Sequence, residues 1–272
     1  MATFSFRSKI ALRVTALLLA IRWYNIVFLT LAQVALFRAL HHTGENGPLL
    51  VYMVLVHALL IAGGSLINNF YDSEKDLINR PWRTLFERTV VRRYGIPLAF
   101  SFWMLAIGLS WGYSTRTGVF HTVYALALFV YSHKRNSLGR WSHVLAAGLA
   151  FLPLSGLGIA LGGLPLDLLL FGFGLLCIEI ARQSAKEARV LPRAQGSRES
   201  ALVAWSSWAL GWGWYIYYGP QEWILVDLFL LGVMIIPTSI LGILRTSTWA
   251  TIADNTAKVL HALALFYLIG RG

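Results

Sequence analysis

The chain has 272 residues, of which 57% are hydrophobic and 13% charged. That charged fraction is about half of what a soluble domain carries, and the lone cysteine, Cys177, excludes an intramolecular disulfide framework. A net charge of +11 would suggest nucleic acid for a soluble protein, but here the basic residues lie between apolar runs, which points to membrane lipids and a phosphorylated substrate and not to nucleic acid.

In chain order, a basic flank (Arg7, Lys9, Arg13) leads directly into apolar sequence, with no small-residue cleavage site to bound a signal peptide. We therefore take it as the approach to a first membrane span. A hydrocarbon layer of about 30 Å needs roughly 20 mainly apolar residues per helix. Runs of this kind occupy about 11–38, 49–70, 95–113, 117–131, 142–162, 165–182, 200–218, 222–244 and 254–270. Strands cannot satisfy their backbone singly in lipid, so the expected fold is an all-α integral membrane protein of about nine transmembrane helices around a central polar cavity. One transmembrane domain over residues 1–272 is expected.

The connections divide by charge. Arg80, Arg83, Arg88, Arg92 and Arg93 follow the second run, Lys134, Arg135 and Arg140 the fourth, and Arg182, Lys186, Arg189, Arg193 and Arg198 the sixth. The opposite connections hold little beyond Arg38 and Arg116. The positive-inside rule puts the N-terminus and the basic connections in the cytoplasm. Trp23, Trp82, Trp111, Trp141 and Trp223 fall near run ends, as interfacial anchors do.

The second run closes on a polar stretch from Asn68 through Pro81. Asn68, Asp72, Asp76 and Asn79 follow i, i+4, i+8, i+11 and stack on one helical face. Carboxylates at a membrane edge are costly. Two of them one turn apart make a hard-oxygen site suited to Mg²⁺, which takes a few carboxylates and completes its shell with phosphate and water. An ordinary polar connection would show the same residue types, and spacing alone leaves both readings open.

The stretch resembles the first aspartate-rich motif of the UbiA superfamily of intramembrane prenyltransferases, Asn-Asp-x-x-Asp-x-x-x-Asp followed by Asn-Arg-Pro. Asn68, Asp72, Asp76, Asn79, Arg80 and Pro81 match; Asn69 stands where the motif has an aspartate. The likeness extends to the nine-run plan and to Arg22-x-x-Asn25 in the first run. It implies a transferase that moves an isoprenoid chain from a prenyl diphosphate to a lipophilic acceptor, by family habit an aromatic ring, with active-site connections on the cytoplasmic side. It further implies that Asp72 and Asp76, with Asn68, hold Mg²⁺ on the diphosphate, and that Arg80 lines the same cavity.

The family's second aspartate-rich motif falls after the sixth run. Here that stretch is Glu179 to Arg189, and Gln183 and Lys186 stand where aspartates are expected. Arg182, Lys186 and Arg189 share a helical face at i, i+4, i+7 and are able to meet phosphate oxygens directly in place of a second metal. They equally suit a solvated helix end on the positive side. The resemblance with this departure predicts one Mg²⁺ at Asp72 and Asp76, with Arg182 or Lys186 approaching the diphosphate and Glu179 in the cavity. The altered motif also admits a non-aromatic acceptor such as a lipid or sugar phosphate, or cyclisation of the prenyl cation; a transporter or non-catalytic scaffold is the reading from a different class.

Tyr131-Ser132-His133-Lys134-Arg135 closes the fourth run and is similar to the family's Tyr-Ser…Lys-Arg loop. Lys134 and Arg135 are expected either to contact diphosphate or simply to set topology. Arg22, Asn25, Asn69 and Tyr131 are expected near the acceptor, with interhelical hydrogen bonding the other reading of Asn25. His133 is either a base or incidental, and the remaining histidines lack metal-ligand spacing along the chain.

Overall fold

The computed structural model describes residues 6–40, 47–79, 81–134, 137–138 and 141–163, together with isolated helical positions between 166 and 180. Among the described residues every regular element is a helix. They are α1 (Phe6–Ala20), α2 (Trp23–Leu40), α3 (Gly47–Asn79), α4 (Pro81–Tyr113), α5 (Thr115–Lys134) and α6 (Trp141–Ala160). The chain divides into two compact units. Residues 1–37 and 41–137 form the first, and residues 38–40 and 138–272 the second.

In the first unit α3 is the central helix and packs along α4 and α5. Within it Gly47–Glu74, 28 residues, is long enough and apolar enough on average to cross a membrane, as is Val91–Tyr113 of α4, 23 residues. The protein is an integral membrane protein of helical spans. The expected runs at 200–218, 222–244 and 254–270 lie outside the described residues, as does most of 165–182.

Two expectations are corrected. The run at 11–38 is not one helix: Val14–Ala20 and Trp23–Arg38 meet at a bend of 58°. The cause is Arg22, whose φ of 54° is left-handed. A non-glycine residue pays roughly 1–2 kcal/mol for that conformation. Local bonds support the break: Ile21 N–H donates to Leu17 O at 2.9 Å, Arg22 N–H to Leu19 O at 3.1 Å, and Asn25 N–H to Arg22 O at 2.8 Å. Secondly, the basic connection after the second run is mostly helix. α3 continues through the polar motif to Asn79, and α4 begins at Pro81, so the backbone of Arg83, Arg88, Arg92 and Arg93 is helical. Proline suits the first helical position because its fixed φ is helical and the missing N–H has no partner there anyway.

Close approach of α3 and α4 depends on Gly63. A Cβ there would lie 2.5 Å from Trp103 Nε1 and 3.0 Å from Ala99 O. The gap lets the buried Trp103 indole donate to Leu60 O at 3.0 Å. Gly118 likewise admits the Trp111 ring against α5; a Cβ would stand 2.5 Å from Trp111 Cδ2. In the second unit α6 ends on Gly162 (φ 94°) and Gly163 (φ 137°). Gly163 N–H caps the helix by donating to Gly158 O at 2.8 Å.

Candidate active site

The polar end of α3 carries the expected constellation on continuous helix. Asn68, Asn69 and Asp72 are buried, whereas Tyr71 and Glu74 on the same turns are exposed. Asn68 and Asp72, four residues apart, therefore share the inward face, as the spacing predicted. Asp76 lies one turn further along the same helix, and its side chain is outside the described residues.

Asn69 uses both ends of its amide. Its Nδ2 donates to Ala20 O at 2.8 Å, and its Oδ1 accepts from Arg22 Nη2 at 3.0 Å. The first bond ties α3 to the last residue of α1. The second holds the guanidinium of the left-handed Arg22 against α3 at Asn69, the residue that follows Asn68. A carboxylate at position 69 could accept from Arg22 but could not donate to Ala20 O. The departure from the family motif thus has a structural use here: Asn69 clamps the break between α1 and α2.

Other expected residues are placed less closely. Asn25 is exposed, three residues past the break. Tyr131 is half-buried and Lys134 exposed at the end of α5. His133 Nδ1 lies 3.1 Å from the Tyr71 hydroxyl, and its ring stacks on Phe129 with centroids 6.1 Å apart. That contact brings the end of α5 to the motif end of α3. Glu179 is buried on a helical stretch of the second unit. Arg80, Arg135, Arg182 and Lys186 lie outside the described residues.

The donor chemistry fits magnesium in part. Asn68 and Asp72 offer buried hard oxygens one turn apart, and Mg²⁺ takes few protein ligands when phosphate completes its shell. Among the described residues no group of three His, Cys, Asp or Glu side chains converges on one point, so these residues form no all-protein cage.

The model of the UbiA prenyltransferase family matches residues 26–253. The chain belongs to the UbiA prenyltransferase family. Among curated relatives of this UbiA protein, digeranylgeranylglyceryl phosphate synthase of Thermococcus gammatolerans is 31% identical over 173 residues, 58% of this chain and 61% of the relative. The synthase of the same name from Methanoregula boonei is 28% identical over 230 residues, covering 76% and 82%. The chain thus matches about three-fifths of the length of the first relative. A solved structure, described as giving insight into digeranylgeranylglyceryl phosphate synthase in membranes, superposes with a TM-score of 0.67 at 16% identity, over 94% of this chain and 97% of that one. At that identity the likeness concerns the fold.

The clamp at Asn69 was not legible in advance. The sequence marks position 69 as a departure but says nothing of Ala20, 49 residues away. The available signal was the pairing of that departure with Arg22-x-x-Asn25 in the first run.

Proposed function

We propose that this UbiA protein transfers an isoprenoid chain from a prenyl diphosphate to a lipophilic acceptor that carries a phosphate, of the glyceryl phosphate class. The observation that carries the reading is the burial of Asn68 and Asp72 on one face of α3, with the Arg22 guanidinium bonded to the intervening Asn69. A buried carboxylate at the end of a membrane helix is costly, and such residues mark substrate or ion sites. The relatives named for glyceryl phosphate chemistry favour the phosphate-bearing acceptor over an aromatic ring.

In this reading the prenyl tail lies in the bilayer and the diphosphate at the motif end of α3. Asn68, Asp72 and Asp76 would hold Mg²⁺, which when bound neutralises the diphosphate as leaving group. Arg22, Arg80, Lys134, Arg135, Arg182 and Lys186 supply positive charge toward phosphate oxygens of the two substrates. The allylic C–O bond breaks and its electron pair leaves with the diphosphate. The acceptor hydroxyl oxygen bonds the allylic carbon, and its proton passes to the departing diphosphate. Charge fixed in place around the leaving group lowers the barrier more than groups that must reorganise. The nine-span plan and the cytoplasmic placement of the basic connections belong to the same proposal, supported by the charge asymmetry.

The test uses membranes containing the full chain, a labelled prenyl diphosphate and either a prenylated glyceryl phosphate or a hydroxybenzoate, with and without chelator. Chelator-sensitive ether product with the glyceryl phosphate supports the reading. Product with the aromatic acceptor alone, or cyclised hydrocarbon without acceptor, overturns it.

A further inference from the structure

The proposed transfer leaves His133 without a role. It stands near the end of α5, one residue before Lys134. Its Nδ1 lies 3.1 Å from the Tyr71 hydroxyl, and Tyr71 directly precedes Asp72 on α3. A tyrosine hydroxyl both donates and accepts, so this bond forms with either neutral tautomer of the imidazole and with the charged ring alike. The contact therefore does not depend on a protonation state.

The His133 ring is seated on a stack that reaches across α4. It lies parallel to Phe129, with 4° between the planes and centroids 6.1 Å apart. Phe129 meets Phe100 and Trp103 of α4 at 6.1 and 6.4 Å, and those two rings pack edge-on at 5.7 Å. Trp103 is buried, and its Nε1 donates to Leu60 O of α3 at 3.0 Å. Tyr71 meets the His133 ring edge-on at 5.3 Å. Centroid distances of this size are those of favourable aromatic pairs. The path from Tyr71 through His133, Phe129 and Trp103 to Leu60 thus returns to the helix it left, roughly 16 Å further along α3. A circuit closed through three helices resists sliding of α5 on α3, because movement at one joint breaks another.

The far side of the turn is tied as well. Ser137 donates to Lys134 O twice, from its N–H at 2.9 Å and from its hydroxyl at 2.8 Å. Lys134 therefore sits between a side-chain clasp on the preceding residue and a double cap on its own carbonyl. Long cationic side chains lose freedom when they meet phosphate, and a backbone fixed beforehand leaves less to be ordered on binding.

We propose that Tyr71 and His133 are positioning residues for prenyl diphosphate: their clasp fixes the end of α5, and with it Lys134 and Arg135, relative to Asp72. The inference rests on the proposed placement of the diphosphate at Asp72 and this basic turn. Tyr71 and His133 touch no reacting atom in that scheme and act through their chain neighbours. Both are exposed, and exposed side chains contribute little to global stability, so a purely structural brace is a poor use of the pair. The roles also differ in what they move. A general base sets kcat, a brace sets the melting temperature, and a positioning clasp sets the affinity for diphosphate.

The test is equilibrium binding of geranylgeranyl thiolodiphosphate, an unreactive analogue, to the full chain in lipid nanodiscs with Mg²⁺. Tyr71→Phe keeps the ring and removes the hydroxyl. His133→Phe keeps the stack on Phe129 and removes the bond. Each should weaken binding about fivefold, which is one hydrogen bond of about 1 kcal/mol converted at 25 °C, with the thermal midpoint moved by less than about 2 °C. The double variant should bind no worse than either single one, and His133→Asn, with an amide near the place of Nδ1, should recover part of the loss. In a Lys134→Gln, Arg135→Gln background, Tyr71→Phe should have no further effect. Unchanged affinity in Tyr71→Phe while the Lys134→Gln, Arg135→Gln protein binds weakly refutes the clasp and leaves the placement of diphosphate standing. A Lys134→Gln, Arg135→Gln protein that binds as tightly as the unchanged one overturns both. A midpoint lowered by several degrees at unchanged affinity marks a structural brace and also overturns the proposal.

Discussion

Replacing Asn69 by Leu removes both bonds of the clamp while keeping the branched heavy-atom skeleton of the side chain. The Asn69 Nδ2–Ala20 O bond at 2.8 Å is neutral, and bonds of that kind contribute about 1 kcal/mol net. The Arg22 Nη2–Asn69 Oδ1 bond at 3.0 Å has a charged donor, and such bonds contribute about 1.5–3 kcal/mol. Ala20 is fully buried, so its carbonyl loses a side-chain donor with no water to replace it. The sum is a loss of about 3 kcal/mol, enough to lower the melting temperature by several degrees. Asn69→Asp should fall between, because the carboxylate still accepts from Arg22 but meets Ala20 O as a second acceptor. The assay is thermal unfolding in detergent followed by tryptophan fluorescence, paired with KM for prenyl diphosphate. With Arg22 no longer held, KM should rise more than kcat falls. An Asn69→Leu protein with unchanged melting and unchanged KM would refute the clamp.

Asp72→Ala should reduce prenyl transfer by about 100-fold or more while the protein still folds, measured as labelled ether product in membranes; full turnover would remove Asp72 from the site. Gly63→Ala should cost about 1–3 kcal/mol, because the new methyl meets the Trp103 ring and the Ala99 carbonyl together, and unfolding in detergent reads this directly. Gly108→Ala should change stability by no more than about 0.5 kcal/mol, since among the described residues nothing lies within 4 Å of the added carbon; a large loss there would show that a neighbour covers this face. Lys186→Asp should weaken diphosphate binding at low Mg²⁺ and recover part of it at high Mg²⁺, which titration with a non-reactive diphosphate would show.

The α-helical fold and its membrane setting were readable because they rest on local quantities. Apolar run length identified α3 and the apolar part of α4, and the i, i+4 spacing of Asn68 and Asp72 placed both on a face that is buried. Helix boundaries were misread where polarity was used as a proxy for loop. Arg83 to Arg93 are hydrophilic yet helical, because Pro81 starts a helix and neither glycine nor proline interrupts it before Gly95 and Pro97, both of which are accommodated within α4. The bend at Arg22 escaped for the opposite reason. Arg22 and Asn25 interrupt the apolar run at 11–38, but hydropathy does not report the sign of a backbone φ.

The polar interior divides in the same way. Asn68 and Asp72 lie on one helix, so their periodicity exposes them. His57 and His121, with Nε2 atoms 2.9 Å apart, are separated by 64 residues, and their partners Gln33 and Ser110 come from two further helices, so no spacing along the chain relates them. What does relate them is cost. A polar side chain deep in an apolar span must find a partner on another helix, because lipid offers none. Histidine and glutamine within otherwise apolar runs are therefore conditional statements about tertiary structure: each requires a partner that the other runs must supply. Asn69 obeys the same rule at the membrane edge, where its two amide groups need one acceptor and one donor and find them in Ala20 and Arg22. Pairing every such residue with every other, by donor and acceptor capacity and by depth along its span, would have narrowed both networks before any coordinates were known.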